Sequence, residues 1–282
     1  MSELIGSRYE LRRTRTGAVE AKGRDYAEVF PEDLEAEADE EVGGYVHSIE
    51  VGSTVDGPGI RFVLFLTGCP LRCQYCHNPD TWHKRNGKRY TLGRITREIG
   101  KYAKVLKLSK GGLTVSGGEP TMQPRFLRRV MQATKAMGVH TCLDTSGRLG
   151  RNLTDADLAD IDLQLLDIKS GDPATYERVT GHPLQPTLDY ARRLSDLGRP
   201  LWVRFVLVPG LTDDPDNVAR VADICAGLEP LERVEILRFH QMGKAKYETL
   251  GIPYPLADAE PPSPELTERV RAQFRERGLT VY

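Results

Sequence analysis

From residue 44 onward, short apolar runs rich in β-branched residues alternate with amphipathic helical segments, and that alternation limits the fold more than any other feature of the chain. Strand patterns fall at residues 45–51, 60–66, 113–115, 139–143, 163–168, 201–208 and 234–239. Helical patterns fall at 91–106, 124–137, 155–159, 187–197, 214–228 and 263–278. In the first helix Thr91 stands at the cap, and Leu92, Ile95, Ile99, Tyr102 and Leu106 share one face. Thr154 caps 155–159, and Thr212 or Asp213 caps 214–228. Strand and helix repeated about six times predict a parallel sheet with right-handed crossovers. A complete eight-fold barrel takes about 250 residues. Six units in 44–282 therefore predict a partial (β/α)6 barrel of the TIM-like kind.

Strand 60–66 runs straight into Cys69-Pro-Leu-Arg-Cys-Gln-Tyr-Cys-His-Asn78. The spacing C-x3-C-x2-C lets Cys69, Cys73 and Cys76 reach one inorganic centre from one loop. Iron–sulfur clusters are normally held by four thiolates. Three on a four-iron cluster leave one iron open to a small molecule, as catalytic zinc sites keep one position free. The rival reading is a Cys3His zinc site with His77 as fourth ligand, although His77 adjoins Cys76 with no spacer. Tyr75, directly before the last cysteine, either packs under the loop or meets a ligand.

The C-x3-C-x-aromatic-C motif resembles the signature of radical S-adenosylmethionine enzymes. The likeness continues in order through Gly52-Ser-Thr-Val-Asp-Gly-Pro-Gly-Ile-Arg-Phe62, Cys76-His-Asn-Pro-Asp-Thr-Trp82, Ser116-Gly-Gly-Glu119, His140-Thr-Cys-Leu-Asp-Thr145 and Leu166-Asp-Ile-Lys169. It extends to Arg204, Pro209-Gly210, His240 and Gly243-Lys244. The ordered set is similar to the family of pyruvate formate-lyase activating enzymes and runs from about residue 45 to the C-terminus. The resemblance implies an open (β/α)6 barrel of the radical S-adenosylmethionine type, with the cluster loop after its first strand. It implies that Cys69, Cys73 and Cys76 ligate a [4Fe–4S] cluster whose fourth iron is chelated by the amino and carboxylate groups of S-adenosylmethionine. Reductive cleavage then yields a 5′-deoxyadenosyl radical that abstracts hydrogen from a glycine of a partner enzyme. That partner is pyruvate formate-lyase; the alternatives are another glycyl radical enzyme, such as anaerobic ribonucleotide reductase or a diol dehydratase. With no second cysteine cluster in the chain, electrons come from flavodoxin or ferredoxin. A non-catalytic cluster or zinc protein is the reading from another class.

The remaining candidates stand mostly at strand ends, where barrels and open α/β sheets build their sites. The family places Tyr75, His77 and Asn78 against the adenine. Gly117 and Gly118 are either a plain turn or a place where a ligand approaches the backbone and meets free amide donors. The resemblance has this segment bind the methionine end, with Glu119 accepting from the amino group. Asp144 and Lys169 suit the two ends of a zwitterion, and the resemblance supports both as cofactor contacts. It also surrounds a monovalent cation with Asp144, Thr145, the carbonyl of Leu165 and Asp167, an all-oxygen set that suits a hard cation. Arg204 interrupts an apolar strand; facing inward it needs an anion, such as the cofactor carboxylate, and facing outward it meets solvent. His240 ends the last strand, as a structural histidine or as the family's cofactor contact. Asp56, Gly57, Pro58 and Gly59 are turn chemistry, which the family places at the barrel mouth where the partner's loop enters. Cys142 and Cys225 read as small buried residues.

Charge excludes several classes. The chain has 39 Lys and Arg against 40 Asp and Glu, for a formal charge of −1, so no basic excess points to nucleic acid. No run approaches the roughly 18 apolar residues of a membrane helix, and the N-terminal residues lack the apolar core of a signal peptide. Five cysteines, three of them clustered, make no disulfide framework. A cytoplasmic protein is expected. Residues 1–43 form a charged extension, basic first and then acidic from Glu32 to Glu41, sparse in apolar residues and expected to be poorly ordered. Residues 44–282 are the barrel domain.

Overall fold

A computed structural model describes residues 10–13, 19–22 and 42–282. In the N-terminal extension two short strands, β1 (Glu10–Arg13) and β2 (Val19–Lys22), pair antiparallel with Glu10 opposite Lys22. The rest of the extension, and with it the expectation of poor order there, lies outside the described residues.

The barrel domain follows the chain order β3 (Gly43–Ser53), β4 (Arg61–Leu66), β5 (Lys88–Thr91), α1 (Leu92–Leu108), β6 (Gly112–Gly117), α2 (Pro124–Ala136), β7 (His140–Thr145), α3 (Asp155–Ala159) and β8 (Leu163–Asp167). It continues with α4 (Pro173–Thr180), α5 (Gln185–Asp196), β9 (Leu201–Leu207), α6 (Pro215–Ala226), β10 (Leu231–Arg238), α7 (Lys244–Leu250) and α8 (Pro264–Arg275). One eight-stranded sheet has the order β10-β9-β8-β7-β6-β4-β3-β5. The six strands from β4 to β10 in that order are parallel, while β3 runs antiparallel to both β4 and β5. This is the open six-fold α/β arrangement expected from the alternation.

The expected caps at Thr91, which accepts from Arg94 N, and Thr154, in a reciprocal box with Asp157, are present. Helix α6 starts differently: Asp214 is its cap, accepting from the amides of Asp216 and Asn217. Thr212 instead accepts from Val208 N and Asp213 from Gly210 N, so both close the turn after β9. Elements β5, α4 and α7 are additions to the expected set.

Strand parity sorts side chains onto two faces. Outward residues such as Val115, Leu143, Leu166, Val203 and Phe205 join Ile95, Phe126, Leu194, Val221 and Phe274 from the helices in the main core. Inward, the lower barrel is filled by Cys142, Leu163, Leu165 and Trp202. Cys142 and Cys225 are fully buried, the first on this floor and the second in the helix-facing core. Above the floor the same parity brings polar side chains inward, and there the candidate site lies.

Candidate active site

The cysteine loop leaves β4 and is fixed by backbone bonds on both flanks. Gly68 N and Cys69 N donate to the carbonyls of Thr81 and Trp82 at 2.7 and 3.0 Å. Arg72 N and Gln74 N donate to Thr180 and Val179 at 2.9 and 3.0 Å, so α4, unanticipated in the pattern, is the buttress under the loop. The Arg72 guanidinium closes the loop on itself through the carbonyls of Cys69 and Leu71. Tyr75 settles its two readings by packing beneath: it is buried among Leu71, Cys73, Val179, Val208 and Phe239, yet borders the cavity above. Its Oη is buried without a protein partner.

That cavity, of about 380 Å3, is lined by Cys69, Cys73 and Cys76 together with strand-end residues from β6 to β10. Gly117, Gly118, Glu119, Asp144, Thr145, Asp167, Lys169, Arg204 and His240 all border it, as do Tyr75 and His77. The side chain of Leu165 belongs to the barrel floor, and neither Leu165 nor residues 56–59 line the cavity.

The charges are arranged as an alternating chain. Register pairs Asp167 with Arg204 and Arg204 with Glu235. Arg204 faces inward and is 7% exposed, with Nε donating to Glu235 at 3.0 Å and Nη1 lying 3.7 Å from Asp144. Burial alone would disfavour its charge, but Asp144 and Glu235 more than offset this and raise its pKa. The anion expected beside Arg204 is therefore supplied largely by the protein. Lys169 Nζ holds Asp167 at 2.9 Å and lies 5.7 Å from the Tyr75 ring centre. Burial opposes the Lys169 charge, and Asp167 and Tyr75 restore it, for a net upward shift. Burial pushes the Asp144 carboxyl up to about 6, against the pull of Arg204, while Ser116 Oγ donates to it at 2.6 Å. Ser116, quoted above only as part of a motif, is a polar residue at inward parity in a largely apolar strand, and that is its signal; Glu235 shares its strand with Glu232, Arg233 and Arg238, so the sequence alone gives no signal for it.

Two expectations change. Glu119, 1% exposed, accepts five hydrogen bonds: from Thr121 N and Oγ1, Thr145 Oγ1, and Ser146 N and Oγ. Its carboxylate ties the end of β6 to the end of β7 rather than pointing free at an amino group. The amides after Gly117 are also committed, Gly118 N to Leu66 O and Glu119 N to Gly68 O. Gly117 has φ +113°, and a Cβ there would lie 2.3 Å from Leu66 O; one on Gly118 would lie 2.4 Å from Gly68 O. These glycines let β6 pack against the cysteine loop.

The Asp56-Gly-Pro-Gly59 turn sits at the opposite end of the barrel from the expected mouth. Because β3 is antiparallel to β4, their connection must lie at the N-terminal end of β4. It forms the floor: Thr114 Oγ1 donates to Asp56 O and the buried Arg61 donates to Pro58 O. It reaches the charge chain from below, with Arg204 donating to Val55 O and lying 4.0 Å from Asp56.

His77 and His240 stack with ring centres 4.2 Å apart, and His77 Nε2 lies 3.2 Å from His240 O. That turns the imidazole toward β10 and away from a fourth ligand's place on the cysteines. Among the described residues no three His, Cys, Asp or Glu side chains are placed to hold a single ion.

Residues 63–222 match the model of the radical SAM superfamily. The chain belongs to this superfamily. It is 44% identical over 230 residues to the pyruvate formate-lyase-activating enzyme of Staphylococcus epidermidis, covering 79% of this chain and 91% of that one. It is 44% identical over 239 residues to the enzyme of that name in Staphylococcus aureus, covering 82% and 94%. It is thus a radical SAM protein of the pyruvate formate-lyase-activating enzyme family. Among solved structures, a domain of such an enzyme from Bacteroides vulgatus matches at a TM-score of 0.51 and 25% identity, covering 61% of this chain and 98% of that one. SuiB of Streptococcus suis, solved with its precursor peptide, matches in fold at 0.59 and 16% identity, covering 80% and 48%.

Radical SAM membership implies a [4Fe–4S] cluster and S-adenosylmethionine, and the residues fit both. Burial pushes the thiol of Cys73 up to about 12 and raises Cys69 and Cys76 as well. Three thiols facing one cavity, Cys73 buried and Cys69 and Cys76 half-buried, hold their protons unless a cationic centre replaces them, which is what iron does. Beside them the cavity offers a carboxylate at Asp144 and an ammonium at Lys169 for a zwitterion. No helix among the described residues is long and apolar enough to cross a membrane.

Proposed function

We propose that this protein activates a glycyl radical enzyme, of which pyruvate formate-lyase is the best-supported candidate, by removing a hydrogen atom from a glycine Cα. The observation that carries this reading is the convergence of three cysteines from one loop and oppositely charged strand-end residues on one cavity, in a chain of this family. When bound, the cluster and S-adenosylmethionine supply one-electron cleavage of the sulfonium and a primary-carbon radical.

The chain's own residues bind and orient. Cys69, Cys73 and Cys76 would hold the cluster, their three thiolates leaving a position for the cofactor. Asp144 takes the ammonium of the methionine moiety; Lys169, with Arg204 beneath it, takes the carboxylate. His77 and His240 form a stacked aromatic wall of a size to take the adenine. Gly117, Gly118 and Glu119 hold the β6 end in place against the loop. Asp144, Thr145, the Leu165 carbonyl and Asp167 are the proposed seat of a monovalent cation; Lys169 is the cation on Asp167 in this structure, so an added ion would compete with it. Asp56, Gly57, Pro58 and Gly59, with Asp56 4.0 Å from Arg204, are the proposed partner-binding residues. Flavodoxin or ferredoxin is the proposed electron donor, and the cytoplasm the proposed compartment.

The test is anaerobic incubation of the reconstituted, reduced protein with S-adenosylmethionine and each candidate partner. Deoxyadenosine together with a glycyl radical signal on pyruvate formate-lyase is the expected result. Deoxyadenosine with a radical only on another glycyl radical enzyme moves the target, and no deoxyadenosine at all refutes the activity.

A further inference from the structure

Asn78 stands where an asparagine ordinarily caps a helix, immediately before the short 3-10 turn Pro79–Thr81, yet its side chain makes no capping bond. The backbone carbonyl closes the turn instead, accepting from Thr81 N at 2.9 Å and Thr81 Oγ1 at 2.7 Å. The side chain is used elsewhere. Its Oδ1 accepts from Lys246 Nζ at 2.8 Å, and the residue borders the cavity beside Cys76 and His77.

Lys246 is delivered to that oxygen by α7. A Cβ on Gly243, the residue before the helix, would lie 3.1 Å from His77 Cα, so α7 begins against the exit of the cysteine loop. Tyr247, 1% exposed, meets the Trp82 ring edge-on at 5.9 Å and keeps the helix there. Asp80 anchors the ammonium, with Oδ2 at 3.1 Å and Oδ1 at 3.2 Å. Asp80 is braced in turn: His47 Nε2 of β3 lies 2.9 Å from its Oδ2, and Asn86 Nδ2 donates to its backbone carbonyl at 3.0 Å. An ammonium has three donors and no acceptor, so only the oxygen of the Asn78 amide can face it. The NH2 group and its two donors are left for the cavity that Asn78 borders.

We propose that Lys246 is a positioning residue for the nucleobase of S-adenosylmethionine: it locks the Asn78 carboxamide with its NH2 toward the cavity, as a donor for a ring nitrogen of the adenine. This rests on the cofactor reading above, which sets the adenine against His77 and His240. Adenine offers N1, N3 and N7 as acceptors. An amide free to flip would also present its oxygen to them, lone pair against lone pair, and that orientation would bind the base worse. With Asp80 holding Lys246, and Lys246 holding Oδ1, the flipped orientation is closed off before the cofactor arrives. Lys246 acts through Asn78, and its effect falls on recognition of the base.

The test is equilibrium binding, by calorimetry, of S-adenosylmethionine and its 1-deaza, 3-deaza and 7-deaza analogues to the cluster-loaded, oxidised protein, in which the cofactor is not cleaved. Each analogue replaces one ring nitrogen by C–H. In the parent protein at least one analogue is expected to bind about tenfold more weakly than S-adenosylmethionine. In Lys246→Met, which keeps the stem and loses the donors, the penalty for one such analogue is expected to shrink to within about threefold. The Lys246 side chain is 38% exposed, and melting and iron content check that the variant folds and loads. A merely structural role for Lys246 weakens all four ligands alike and leaves every penalty where it was; that result overturns the proposal. A parent protein indifferent to all three analogues also overturns it, with no variant needed. Asn78→Asp keeps the bond to Lys246 and loses the NH2, and is expected to abolish the same penalty; a penalty unchanged in Asn78→Asp overturns the proposal as well. No binding of S-adenosylmethionine to the loaded parent overturns the cofactor reading and this inference with it, whereas binding with penalties independent of Lys246 overturns this inference alone.

Discussion

Replacing Glu119 separates two roles that the same residue type plays at a strand end. The carboxylate accepts from two backbone amides, Thr121 N at 3.2 Å and Ser146 N at 3.0 Å, and from three hydroxyls. In Glu119→Ala the hydroxyls can rotate toward other acceptors, but the two amides cannot. Each buried amide left without an acceptor costs about 1–3 kcal/mol, so the loss is about 2–6 kcal/mol before any cavity term. Glu119→Gln keeps the shape but places an NH2 against one of the two amide donors whichever way it turns, and costs about 1–3 kcal/mol. At about 2–4 °C per kcal/mol for a domain of this size, the Gln variant melts a few degrees below the parent and the Ala variant about twice as far. Thermal unfolding by circular dichroism of both variants, without cofactor, reads this directly. A Glu119→Ala protein that melts within 1 °C of the parent but binds S-adenosylmethionine far more weakly would refute the structural role and restore the direct contact with the amino group.

Substitution of any one of Cys69, Cys73 or Cys76 by Ala is expected to remove most bound iron and sulfide after anaerobic reconstitution, while Cys225→Ala, in the helix-facing core, leaves loading intact; metal analysis checks both. Gly117→Ala meets the Leu66 carbonyl and is expected to lose at least about 2 kcal/mol of stability, seen as a lowered midpoint in urea. Burial raises the Asp144 carboxyl to about 6, so the folded protein keeps its proton up to that pH while the unfolded chain loses it near the ordinary value. This group's contribution to stability therefore falls between about pH 4 and 6, and binding of the ammonium end of S-adenosylmethionine weakens as the pH drops through about 6. Calorimetric titration at pH 5.5 and 7.5 checks the second part, and affinity unchanged between them contradicts it.

Much of this was legible in the chain because strands and caps declare themselves locally. Alternation of residue 60–66 with the helices after it is enough to predict parallel pairing, and Thr91 and Thr154 cap where side-chain chemistry says they should. What escaped depends on tertiary contacts. Helix α4 has few apolar residues of its own and owes its place to the backbone bonds it makes with the cysteine loop. Asp214 outcompetes its neighbours because Thr212 and Asp213 are already used in the turn. The family pattern names Glu119 and the Asp56-Gly-Pro-Gly59 turn, but not which donors fill the first or which end of the barrel the second occupies. Those follow from strand direction and register, as does Glu235, which only the pairing with Arg204 singles out.

The central claim is that three thiols clustered on one cavity and a strand-end array suited to a zwitterion serve one open-coordinate cluster. Electron paramagnetic resonance of the anaerobically reconstituted, reduced protein, recorded with and without S-adenosylmethionine, tests it most directly. A reduced [4Fe–4S] signal whose shape changes when the cofactor is added is the predicted result. A cluster signal that the cofactor leaves unmoved, or no cluster at all, would contradict it.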